Sequence, residues 1–113
     1  MTTNKFSVTE EIATKVMKEL TSILHEQGIV DLPPPTIRRI IEYGVPIFSA
    51  KWFCESEHSL LLFVEGDKVD LSMQYGLGTY VERINQNDNK YCLDNFVKVN
   101  MEYLLKLGLD RHG

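Results

Sequence analysis

The chain predicts an α+β fold: an antiparallel meander sheet of three to five strands, packed with an N-terminal helix, a short second helix and a C-terminal helix. Three observations carry this. Apolar residues recur at helical spacing near both ends. The middle instead alternates in period two, with glycine at its turns. The strands also arrive consecutively, without the long helical crossovers that a parallel sheet requires. At 113 residues, with no repeat and no linker, residues 1–113 form one domain.

The first helix is expected over residues 8–27. Ser7 and Glu10 have the S-x-x-E spacing of a capping box. Ile12, Ala13, Val16, Met17, Leu20, Ile23 and Leu24 fall on one face, an arc of about 140° at 100° per residue. Gly28 follows as a stop. Pro33, Pro34 and Pro35 then impose an extended step. A short helix is expected from Thr36 to Tyr43, with Ile37, Ile40 and Ile41 inward and Gly44 ending it.

Residues 46–54 read as a strand, with Phe48, Ala50, Trp52 and Cys54 on one face and Ile47, Ser49, Lys51 and Phe53 on the other. Glu55 to His58 make a polar turn. Residues 59–65 are apolar on both sides (Leu60, Leu62, Val64; Leu61, Phe63), as in a central strand covered on both faces. Gly66-Asp67 is a type II′ hairpin signal. Residues 68–75 then alternate, with Val69, Leu71, Met73 and Tyr75 facing in. Gly76 and Gly78 bracket a break before a strand over 79–84. A loop over 85–90 and a short return strand over 91–93 follow.

The last helix is expected over 95–107, with Asp94 as its N-cap and Gly108 as its stop. Its polar strip (Asn95, Lys98, Glu102, Lys106) is narrow. Its apolar arc spans about 240°, too wide for one contact surface. Two arrangements would cover it: helices on opposite sheet faces, or an interface with another chain. Asn100 lies inside the arc and needs hydrogen-bond partners if buried.

The formal net charge is −4, and each half of the chain carries six Lys/Arg against eight Asp/Glu. Such evenness lacks the basic stripe of a nucleic-acid binder. The N-terminus is too polar for a signal peptide, and no apolar run reaches the roughly 18 residues of a membrane span. A cytoplasmic protein without membrane contact, holding Cys54 and Cys92 as free thiols, is the expectation.

Chemistry-bearing motifs are weak. His25, His58, His112, Cys54 and Cys92 lack zinc-ligand spacing, so no metal is expected. Gln74 to Thr79 holds a G-x-G that precedes a strand, which does not make a phosphate loop, and no cofactor is expected. Paired carboxylates (Glu55/Glu57, Glu65/Asp67, Asp67/Asp70) flank turns, where solvated acids are common. Arg38 and Arg39 form the one compact basic pair and suit anion binding.

The favoured reading is therefore a small protein-interaction module (inhibitor, immunity-type protein, adaptor or chaperone) that binds another protein or itself, including as a homodimer. Its expected contact residues are Val99, Tyr103 and Leu107 on the last helix, with Arg38 and Arg39 peripheral. The alternatives are a small enzyme or ligand binder built from dispersed residues, such as Tyr75, Tyr80, His58 and Cys92, and a nucleic-acid binder using the two arginines. An enzyme is the less favoured reading, and nucleic acid is disfavoured as a partner.

Overall fold

The computed structural model describes residues 6–30, 32, 34–53, 59–76 and 78–109. Helix α1 (Phe6–Glu26) is followed by strands β1 (Thr36–Glu42), β2 (Val45–Phe53), β3 (Ser59–Glu65), β4 (Lys68–Tyr75) and β5 (Gly78–Ile84). A single 3₁₀ turn (Gln86–Asp88) leads into α2 (Asn89–Val99) and α3 (Met101–Leu109). All five strands lie antiparallel in the order β1-β2-β3-β4-β5. The meander sheet packed with helices is the predicted class.

α1 begins at Phe6, so Ser7 sits inside the helix rather than at its cap. Glu10 accepts a hydrogen bond from Arg39 Nε. The helix ends as its sequence predicts. Ile29 N–H donates to Leu24 O at 2.9 Å and Gly28 N–H to His25 O at 3.0 Å, the paired bonds of a Schellman stop. Ile29, 4% exposed, tucks back onto the core.

Residues 36–42 are a strand, not the expected helix. The apolar spacing of Ile37, Ile40 and Ile41 suits either structure, but Thr36 and three isoleucines are β-branched and favour the pleat. The deciding feature is the turn. Tyr43 (φ 52°) and Gly44 (φ 77°) both take positive φ between the paired residues Glu42 and Val45. Two positive φ values make a type I′ turn, whose twist matches that of a hairpin. Gly44 therefore reverses the chain rather than ending a helix.

The rest of the meander follows the predicted alternation. Gly66-Asp67 closes β3–β4, with Gly66 at φ 61°. Cys54 and the expected turn over 55–58 lie outside the described residues.

The end of the chain departs from expectation. Residues 91–93 belong to α2, not to a return strand, and Asp94 lies inside that helix rather than capping it. The expected helix over 95–107 is two helices that meet at Asn100. That residue is 2% exposed, and its Nδ2 donates to Phe96 O at 2.9 Å. Its backbone N–H reaches the same carbonyl at 3.0 Å, and its own carbonyl accepts from Leu104 N–H at 2.9 Å. The buried amide is thus satisfied by the backbone at a helix junction.

The helices share one face of the sheet. α1 packs on β2 and β3, α2 on β5, and the two helices on each other. The core joins Ala13, Val16, Leu20 and Leu24 of α1 to Leu93, Phe96 and Val97 of α2 and Leu104 of α3. The sheet supplies Phe48, Ala50 and Trp52 from β2, Leu60, Leu62 and Val64 from β3, and Val69, Leu71 and Met73 from β4. These are every second residue of each strand, as one covered face demands. Thr9 Oγ donates to Gly66 O at 2.8 Å and ties the start of α1 to the β3–β4 turn.

Candidate interaction surface

With α1 and α2 on one side, no helix covers the second face of the sheet among the described residues. Its rows follow from the register. Ile40, Ile47, Glu65 and Lys68 form one row; Arg38, Ser49, Phe63, Asp70 and Arg83 form the next; Thr36, Lys51, Leu61, Ser72 and Val81 form the third. The β1–β3 half is mainly apolar. Ile47 is 6% exposed and stands outside the core cluster. Leu61 and Phe63 are half-buried, while Ile40 and Val45 are exposed. At the β4–β5 half, Arg83 Nε donates to Asp70 Oδ1 at 2.6 Å and Nη2 to Oδ2 at 3.4 Å. This fork holds the Arg83 guanidinium above its ordinary pKa.

The apolar half runs out to the β1 edge, where six of seven residues are exposed. Just beyond it, Tyr43 projects with 97% of its surface in solvent. Glu42, Tyr43, Val45, Phe63 and Lys68 border a shallow depression of about 560 Å³ across the hairpin ends.

Arg38 and Arg39, adjacent in sequence, point to opposite faces because a strand alternates. Arg38 is exposed on the open face. Arg39 is on the helix face, bonded to Glu10, with its guanidinium carbon 5.5 Å from the Phe48 ring centroid. The remaining expected contact residues are elsewhere. Val99, 52% exposed, ends α2, and Tyr103 on α3 is half-buried against the core. Leu107 is in α3, with its side chain outside the described residues. α2, which carries Val99, packs on β5, at the opposite edge of the sheet from the β1 arginines.

Of the dispersed residues of the enzyme alternative, Tyr80 and Cys92 are described in full. His58 and the side chain of Tyr75 lie outside the described residues. Tyr80 packs against Phe96, with ring centroids 5.9 Å apart, and donates to Glu82 Oε1 at 2.9 Å. That hydrogen bond, then burial and the Glu82 charge, push its phenol above the ordinary value. Asn95 Nδ2 donates to the same Glu82 oxygen at 3.0 Å, so these groups join β5 to α2. Cys92 is a free, half-buried thiol whose Sγ accepts from Asn85 N–H at 3.5 Å. A pocket of about 220 Å³ between α1 and the proline step is lined by Leu24, Ile29, Pro35 and Trp52, with His25 its one titratable group among the described residues. Also among the described residues, no three of His, Cys, Asp and Glu converge as metal ligands, and no helix is long and apolar enough to cross a membrane.

Comparison of the chain with protein-family models, with curated proteins and with solved structures finds no match.

The open face was partly legible in the sequence. Ile47, Leu61 and Phe63 already stood on the second side of their strands. Their alternation does not say on which side the helices land, Ile40 and Tyr43 were hidden by the helical reading of residues 36–43, and Val45 fell just before the strand expected from residue 46.

Proposed function

We propose that this chain is a protein-interaction module that binds another protein or a second copy of itself through the open sheet face and the adjoining β1 edge. One observation carries the reading: α1 and α2 pack on the same side of the sheet. An apolar half-face, with Ile40 and Val45 exposed and Leu61 and Phe63 half-buried beside Ile47, therefore runs, with no helix over it among the described residues, to an exposed edge strand. Contiguous apolar surface of this kind marks contact sites, and exposed edges accept further strands. The divergence of Arg38 and Arg39 to opposite faces removes the compact basic pair that favoured nucleic acid.

A photo-crosslinking amino acid placed at Lys51, exposed on the open face, and separately at Lys15, exposed on α1, tests this in the expressing cell. A discrete protein adduct from position 51 and none from position 15 is expected. No adduct from 51, or the same smear from both, overturns the reading.

A further inference from the structure

The edge strand β1 is complementary to itself. Its backbone orientation follows from the turn. A two-residue loop makes Glu42 and Val45 a hydrogen-bonded pair, so Ile40, Arg38 and Thr36 also bond to β2. Ile37, Arg39 and Ile41 then turn their N–H and C=O groups away from the sheet. Pro46 corroborates this. It stands opposite Ile41, has no N–H to offer, and its carbonyl accepts from Gly66 N–H at 2.9 Å, on the side away from β1. The free edge of seven residues is about 23 Å long at roughly 3.3 Å per residue.

The side chains choose among ways of filling that edge. Arg38 and Glu42 are both exposed on the open face, and neither joins an ion pair among the described residues. They are too far apart along one strand to meet, about 13 Å. An antiparallel second β1, related by a two-fold axis through Ile40, places each Arg38 opposite the other copy's Glu42. It also places Ile40 against Ile40. These are non-hydrogen-bonded pairs, whose side chains approach most closely. The outward-facing Arg39 and Ile41 become the hydrogen-bonded pairs, each exchanging two backbone bonds. The neighbouring register, centred on Arg39, sets that arginine against itself and leaves Arg38 opposite an isoleucine.

Resting on the interaction reading above, we infer that the occupant of the β1 edge is a second copy of this chain, paired antiparallel about Ile40. The pairing is isologous, as two-fold dimers require. It joins two five-stranded sheets into one continuous sheet, and it brings the two apolar half-faces together across the axis.

Light scattering over a dilution series, with Arg38→Glu, Glu42→Arg and the double swap, tests the pairing. The wild type is expected to be a dimer. Each single reversal creates two like-charge pairs and raises the dissociation constant by about tenfold or more, and the swap restores it to within about threefold. Circular dichroism should be unchanged throughout, since both residues are exposed. In a C54S/C92S background, Ile40→Cys should form an intermolecular disulfide on mild oxidation. Opposed residues there lie about 4.5 Å apart at Cα, within disulfide reach, whereas Arg38→Cys should not cross-link. A monomer at every concentration overturns the inference. So does a dimer that is indifferent to both reversals and does not cross-link at position 40. If a monomeric chain still gives an adduct to a different protein from position 51, the interaction reading survives and the self-pairing does not.

Discussion

Replacing Tyr43 with asparagine should stabilise the fold. Tyr43 holds φ at 52°, in the left-handed region where an L-residue with a bulky side chain is disfavoured by about 1–2 kcal/mol. Asparagine tolerates that region several-fold better. With Gly44 behind it, asparagine creates the Asn-Gly pair preferred in type I′ hairpins. Little is lost in exchange, because the tyrosine is 97% exposed and buries almost no surface in its own chain. A gain of about 0.5–1 kcal/mol is expected, which for a domain of this size moves Tm up by about 2–6 °C. Urea denaturation reads it as a higher midpoint at an unchanged m-value. A lowered midpoint at a dilution where the wild type is monomeric would refute the reasoning, since it would mean that the ring packs on its own fold. The same variant should weaken association, because a strained and solvated aromatic at the rim of the open face is of use only to what docks there.

Three further outcomes follow from the described contacts. Asn100→Ala removes the buried amide at the α2–α3 junction and should cost about 1–2 kcal/mol by denaturant titration; a change within error would mean that the backbone bonds alone hold the junction. Arg39→Ala loses an exposed ion pair and a cation–π contact and should cost about 1 kcal/mol or less; a cost of several kcal/mol would show that the pair organises α1 on the sheet. Tyr80 holds its proton more tightly folded than unfolded, so its stabilisation is complete below pH 10.0 and fades as pH rises through the raised value. Phenolate absorbance should show a late-titrating component that Glu82→Gln brings back toward the ordinary range; an unshifted titration in that variant would sink the assignment.

Much of the fold was legible because burial writes a period into the sequence. Val16, Leu20 and Leu24 mark the covered stripe of α1, and Val69, Leu71 and Met73 mark the inner face of β4; all six are at most 2% exposed. The β1 strand was not legible because its isoleucines are not sorted by burial. Ile40 is 41% and Ile41 52% exposed, on opposite faces, so no face was selected and the apolar spacing carried no period. The turn beside it was masked by a tyrosine where glycine or asparagine is usual. At the other end, Tyr91 is exposed and Leu93 buried, as two residues on opposite sides of a helix are; a strand would put both on one face, and two apolar residues in sequence do not say which.

The order of the chain imposes an order of assembly. Each strand pairs with its successor in sequence, so the hairpins can close as soon as they are made. α1 is different: it is synthesised first, yet its apolar stripe rests on β2, β3 and α2. Glu65, the end of β3, emerges 39 residues after the end of α1, about 2–8 s later at ribosomal speeds. Until then the newborn helix has no strand to cover its greasy stripe, and the part that meets α2 waits longer still.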